Sequence, residues 1–165
     1  MEENKQSRTL FLTGPLEGGN GVPIINALKE LDQESNDDIT IIICSPGGRV
    51  DNMIGIIDTM DEIESDTATV ILGGGASAAA AIATCGTKGK RYMSKHSEIM
   101  FHMARGGWRM TDADKRRTIH FKHLMEKILS DCSGHDMDKV KEDIRLEMFL
   151  NAEKAVEYGC IDHIL

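Results

Sequence analysis

Gly73-Gly74-Gly75-Ala76-Ser77-Ala78-Ala79-Ala80-Ala81 is the stretch whose reading decides the fold. It follows an apolar run of β type, Ala68 to Leu72, and passes from glycines through one serine into alanines. The order reads as a strand that stops at a tight turn and restarts as a helix. Glycine permits the backbone angles of such a turn, and alanine is the best helix former with little bulk. The Ser77 hydroxyl then stands at a sharp strand-to-helix junction, crowded only by small groups. The first N–H groups of a helix have no partner within it. Donors already in place are what a developing oxyanion needs. The same residues also suit a glycine-rich turn in which Ser77 merely caps the helix. Taken alone, the stretch favours the cap.

Working outward, Leu10 to Gly14 is a short strand, and Gly18 to Gly21 mark a loop. Pro23 suits the first turn of a helix, and Ile24, Ile25, Leu28 and Leu31 recur at helical spacing. Ile39 to Cys44 is a nearly unbroken β-branched run, the pattern of a strand buried on both faces of a parallel sheet. The turn Ser45-Pro46-Gly47-Gly48 comes directly after it. Asp51 is the expected N-cap of a helix whose apolar stripe is Met53, Ile54, Ile57, Met60 and Ile63. Arg91–Met93 and Ile99–Met103 read as strands, and Asp112 to about Ser130 as the longest helix, ended by Gly134. Asp136–Leu146 reads as a further helix, Asn151 caps a short one that Gly159 closes, and Cys160–Leu165 reads as a final strand. Strand and helix alternating in this rhythm predict an α/β architecture with a largely parallel sheet. Ligands of such sheets gather at the carboxyl ends of the strands. The Ser45–Gly48 and Gly73–Ser77 turns both sit at such ends.

A chain of 165 residues is expected to form one domain over 1–165, with residues 1–8 a polar, flexible N-terminal segment lacking the apolar run of a signal peptide. The formal charge of −8 argues against a nucleic-acid-binding surface. No stretch approaches the roughly 20 apolar residues of a membrane helix. Cys44, Cys85, Cys132 and Cys160 are widely spaced and form no zinc pattern. Cys44 and Cys85 lie in apolar stretches and are expected as small core residues. Reduced thiols fit a cytoplasmic-type compartment.

A serine nucleophile needs a base within hydrogen-bond reach. Of the six histidines, His102 alone lies in an apolar strand-like run just before a glycine loop. The α/β-hydrolase elbow is disfavoured: Ala79 stands where its second glycine belongs, and its acid would precede the histidine. Pro46-Gly47-Gly48 offers glycine N–H groups at a second strand end, and amides from two loops can form an oxyanion hole.

Together, Phe11-Leu12-Thr13-Gly14, Ser45-Pro46-Gly47-Gly48, Gly75-Ala76-Ser77-Ala78, Gly86-Thr87-Lys88-Gly89-Lys90-Arg91, Met100-Phe101-His102, Gly106-Gly107, and Phe149-Leu150 running on through Ala155-Val156-Glu157-Tyr158-Gly159 carry a resemblance. The chain resembles, from about Leu10 to its end, the Clp protease proteolytic subunits, self-compartmentalising serine peptidases of the ClpP/crotonase fold. The resemblance implies that fold, with a protruding long handle helix. It implies Ser77 as nucleophile, His102 as general base and acid, and an oxyanion hole from the N–H groups of Gly48 and Ala78. Glu147 falls where the family has its third member, an aspartate, with Asp143 as the alternative. Substrate would lie extended between Gly48, Arg49 and Val50 on one side and Arg105 and Gly106 on the other. No metal or organic cofactor is implied. Stacked seven-membered rings of identical chains and an ATP-driven unfoldase of the Clp type are implied as partners. Arg105 replaces the family's apolar residue, and Trp108-Arg109-Met110 replaces its second glycine pattern. The nine residues before Leu10 are fewer than the family's N-terminal helix and pore loops occupy. Two other readings are weighed: a non-catalytic subunit of a mixed ring, favoured by Glu147 and Arg105, and a crotonase-type acyl-CoA enzyme, which needs no serine–histidine pair.

Overall fold

The computed structural model describes residues 7–103 and 111–165. Its order is β1 (Thr9–Thr13), α1 (Val22–Glu34), β2 (Ile39–Ser45), α2 (Val50–Glu62), β3 (Thr67–Ala76), α3 (Ala78–Thr84), β4 (Arg91–Met93), β5 (Glu98–Phe101), α4 (Asp112–Ser133), α5 (Met137–Asp143), β6 (Met148–Asn151), α6 (Ala152–Glu157) and β7 (His163–Ile164). The strands run β1-β2-β3-β4-β7, all parallel. The family's α/β architecture is therefore present. The sheet forks at β3. Its first half pairs with β4 at Thr69–Ile71, and its glycine half pairs with β5 at Gly74–Ala76. β6 then adds antiparallel to β5.

The strand expected to stop at Leu72 continues through the glycines to Ala76. It does so by bulging. Ile43 faces Ile71, but Ser45 faces Gly75, so β2 advances two residues while β3 advances four. Gly73 takes φ +83° in the bulge, a conformation cheap only for glycine. The backbone groups freed there are satisfied from the turn before β5, where Ser94 N–H donates to the Ile71 carbonyl at 3.0 Å. Ser97 Oγ accepts from Gly73 N–H at 2.8 Å and lies 3.3 Å from the Ile71 carbonyl.

Burial alternates along β2, where Ile39, Ile41, Ile43 and Ser45 are buried and Cys44 is exposed. The β-branched run is thus covered on one face, not two. Leu28 and Leu31 of α1, Met53, Ile56 and Met60 of α2 and all of α3 join the same core. Phe11, Leu72 and Phe149 remain exposed. Cys44, expected in the core, lies on the uncovered face, and Cys85 is half-buried at the end of α3.

Arg49, not Asp51, is the N-cap residue of α2; Asp51 lies in the first turn and is ion-paired to Arg49. α4 runs three residues further than expected, to Ser133, and Gly134 closes it at φ +81°. Its first half is exposed and its second half packs through Met125 and Leu129. α5 is shorter than its periodicity suggests, with Asp136 as its N-cap. The final strand contracts to His163–Ile164. Among the described residues no helix is long and apolar enough to cross a membrane.

A buried ion pair ties the chain's end to this frame. Arg91 Nη2 donates to Asp162 Oδ1 at 2.6 Å and Nε to Oδ2 at 2.8 Å. Burial alone would raise the Asp162 pKa, but the guanidinium and the N–H groups of Arg91 and Gly89 hold it below 3.8. Removing one partner of a buried pair leaves the other charge uncompensated. Asp162→Asn should therefore cost about 3–5 kcal/mol in chemical denaturation at neutral pH. A group with a depressed pKa stabilises fully above its unfolded value and loses that contribution as pH falls through the folded one. On acidification from about pH 5 to 3, the wild type should accordingly lose more stability than the variant.

Candidate active site

Ser77 joins β3 to α3, and among the described residues it is the one non-glycine with positive φ (56°, ψ −121°). Such backbone costs about 1–3 kcal/mol and persists only where its surroundings enforce it. Three contacts enforce it. Ser77 N–H donates to the Met100 carbonyl at 2.8 Å, extending the β3–β5 ladder one step. α3 then starts at once, with Ala81 N–H donating to the Ser77 carbonyl at 3.1 Å. Gly47 fills the remaining side: a Cβ there would meet Ala76 O at 2.4 Å, Ala78 N at 2.8 Å and Ser77 Cβ at 3.0 Å. The Ser77 side chain makes no capping hydrogen bond. The capping reading is thereby set aside, and among the described residues the hydroxyl has no hydrogen-bond partner.

The Gly47–Gly48 loop is held from the β1 side. Leu16 N–H donates to Gly47 O at 2.8 Å, and Arg49 N–H donates to Leu16 O at 2.7 Å. Ser45 Oγ donates to Gly14 O at 2.6 Å and accepts from Gly47 N–H at 3.0 Å. Gly48 takes φ +148°, and a Cβ on it would lie 2.2 Å from Leu16 O. Among the described residues, neither Gly48 N–H nor Ala78 N–H has a hydrogen-bond partner. Two unspent donors thus flank the Ser77 turn. Leu16 escaped the sequence reading, as did the role of the Ser45 hydroxyl within its turn. Their signal was the Thr13–Gly14 strand end beside Ser45-Pro46, legible only once β1 and β2 are known to be neighbours.

His102 directly follows β5 and is half-buried. Its Nδ1 lies 2.7 Å from the Met103 carbonyl oxygen. A carbonyl only accepts, so Nδ1 carries the proton and Nε2 is left as the acceptor, the form a general base needs. Ladder register brings Ser77 and His102 to adjacent levels of neighbouring strands, since Ala76 faces Met100.

Glu147 is not a helix residue, as its sequence neighbourhood suggests, but immediately precedes β6. The β5–β6 ladder ends at Phe101↔Met148. The next residues across that ladder are His102 and Glu147. Asp143, the alternative, is occupied elsewhere: it accepts from Tyr158 Oη and Lys139 Nζ, both at 2.7 Å. Burial works against its ionisation, yet these two donors hold its pKa low, while burial and the bond to Asp143 push Tyr158 up.

Arg49 is extended and paired with Asp51, whereas Val50 already opens α2. The extended edge on this side therefore ends at Arg49. Arg105 and Gly106 lie outside the described residues. A cleft of about 310 Å³ opens on the uncovered face beside the site, between Pro46, the Gly73–Ala76 backbone, Met100 and Phe149.

An open α/β sheet with a strained serine and unspent amides at its strand ends defines a class with acyl-transfer geometry. The comparisons give the family. Residues 1–165 match Clp protease. An ATP-dependent Clp protease proteolytic subunit of Streptococcus pneumoniae (strain Hungary19A-6) is 36% identical over 97% of this chain and 85% of its own length. That of Streptococcus salivarius is 37% identical with the same coverage. The chain belongs to the Clp protease family and is a proteolytic subunit. The non-catalytic and acyl-CoA readings are not favoured.

Two glycines with similar φ separate strain from contact. Gly89 (φ +88°) has nothing within 4 Å of a built Cβ, unlike Gly47 (φ +82°). Gly89→Ala should cost about 1 kcal/mol from backbone strain alone. Gly47→Ala adds overpacking of the Ser77 turn and should cost about 2 kcal/mol more in thermal denaturation.

Proposed function

We propose that the chain is a serine-type endopeptidase in which Ser77 is the nucleophile, His102 the general base and acid, and Glu147 the residue that orients the imidazole, taking over from the Met103 carbonyl as acceptor of the Nδ1 proton in the working site. The observation that carries this is the strained Ser77 turn, whose hydroxyl and whose flanking Gly48 and Ala78 N–H groups have no hydrogen-bond partner among the described residues. Ser77 Oγ attacks the peptide carbonyl as His102 Nε2 takes its proton. Negative charge gathers on the carbonyl oxygen, where the two N–H groups receive it without reorganising. The intermediate collapses as His102 returns the proton to the departing amine. Water, activated by the same imidazole, then hydrolyses the acyl-enzyme.

Substrate is held in extended form along Gly48 and Arg49, with Arg105 and Gly106 opposite. Main-chain pairing of this kind tolerates many sequences. The working unit is an assembly of identical chains, stacked seven-membered rings, fed with unfolded polypeptide by an ATP-driven unfoldase in the cytoplasm. Two observations support assembly. The relatives are named as ATP-dependent proteolytic subunits. Parallel sheets are covered on both faces in nearly all proteins, yet this one exposes Phe11, Leu72 and Phe149.

Peptide hydrolysis by the assembled protein tests the roles. Ser77→Ala should lower kcat by at least about 10³-fold with unchanged circular dichroism. Glu147→Gln should lower it about 10²–10⁴-fold, while Asp143→Asn keeps near-wild-type turnover. Wild-type turnover in Ser77→Ala would overturn the assignment. Loss in Asp143→Asn with activity kept in Glu147→Gln would transfer the orienting role to Asp143.

A further inference from the structure

Cys85 closes α3, the helix that Ser77 begins, and Cys132 sits in the last turn of α4. They are 47 residues apart in sequence, and their sulfurs are 3.6 Å apart. One buried group holds both segments. Arg91 Nη1 donates to Thr84 O at 3.2 Å and to Cys132 O at 3.1 Å, while its other nitrogens grip Asp162. The end of α4 is clamped from a second side, where Gly159 packs so closely that a Cβ would lie 2.6 Å from Ser133 O. The two chain segments that carry the sulfurs are therefore held together by the frame. A disulfide requires S–S of about 2.05 Å, so closing the bond takes a movement of about 1.5 Å.

We propose that Cys85 and Cys132 are a redox modification site, forming a reversible disulfide under hydroperoxide that ties α3, the helix that follows Ser77, to the long helix α4. The two sulfurs have different roles. A Cys132 thiolate can accept from the Cys85 thiol, and the Arg91 charge adds to this, so Cys132 ionises more readily than an ordinary thiol despite partial burial. Its partner's thiol is pushed up by that same bond and by burial. The thiolate is the attacking species. Cys132 Sγ attacks one peroxide oxygen, the O–O bond breaks, and the other oxygen leaves as water after taking a proton. Cys132 is then a sulfenic acid. Cys85 Sγ attacks that sulfur, the S–O bond breaks, and a second water leaves with the Cys85 proton. Two thiols are oxidised and one hydrogen peroxide is reduced. A dithiol reductant reverses the step by exchange. The other thiols stand apart: Cys160 is buried and pushed up to about 12 by burial, and Cys44 is exposed on the uncovered sheet face.

The test is hydrogen peroxide titration of the wild-type protein, followed by iodoacetamide, intact mass and peptide mapping. The expected result is loss of two hydrogens, a Cys85–Cys132 cross-linked peptide, full alkylation at Cys44, and reversal by dithiothreitol. The oxidised protein should melt several degrees higher than the reduced one. Cys44→Ser should leave all of this unchanged. In Cys85→Ser, dimedone should trap the sulfenic acid on Cys132. Alkylation of both Cys85 and Cys132 after peroxide would overturn the proposal. So would Cys132 sulfinic acid beside an alkylatable Cys85. These readouts do not depend on peptidase activity.

Discussion

Gly47 has no side chain because the Ser77 turn occupies the space where one would be. A Cβ at that point would sit 2.4 Å from Ala76 O and 2.8 Å from Ala78 N. That contact ties two strand ends into one object. The β2 end cannot move without the Ser77 turn, and the turn cannot relax its φ of 56° without striking the β2 end. Leu16 transmits the same constraint from β1 through its N–H and carbonyl. Gly48 and Ala78 thus come to lie at the ends of neighbouring strands that stop at one level. A preorganised pair of donors is a property of the sheet, with the loops serving as its edge.

The fork at β3 brings Ser77 and His102, from distant parts of the chain, to adjacent levels of neighbouring strands. β3 gives its first half to β4 and its glycine half to β5. Without the bulge, in which Gly73 turns and Ser97 accepts from its N–H, β3 could not serve both partners. β6 then lies antiparallel beside β5, which puts Glu147 across from His102. Glu147 reaches that level by strand pairing, not by helical spacing. The same arrangement leaves Phe11, Leu72 and Phe149 bare on the opposite face of the sheet. The geometry that builds the site also creates apolar surface that invites other chains.

Much of this was legible in the sequence. The alternation of strand and helix, the strand-end positions of Gly48 and Ser77, and the prominence of His102 all follow from patterns of a few residues. Three things were not. The β2 run looked doubly buried because β-branched residues fill both faces, and only the placement of helices shows that one face is bare. Glu147 lies just past the Asp136–Leu146 stretch read as a helix, and its place as a strand neighbour depends on pairing with β5, far away in sequence. Cys85 looked like a core residue, and its proximity to Cys132 depends on Arg91 gathering three segments. Local pattern reports which face a residue prefers, but not which partner waits there.

The central claim is that Ser77 is an activated nucleophile served by His102. The most direct test is reaction of the assembled protein with a fluorophosphonate, followed by intact mass and digestion to locate the adduct. One adduct per chain, on Ser77 and absent from His102→Ala, is the predicted result. A folded, assembled protein that takes no adduct, or takes it on another serine, would contradict the claim.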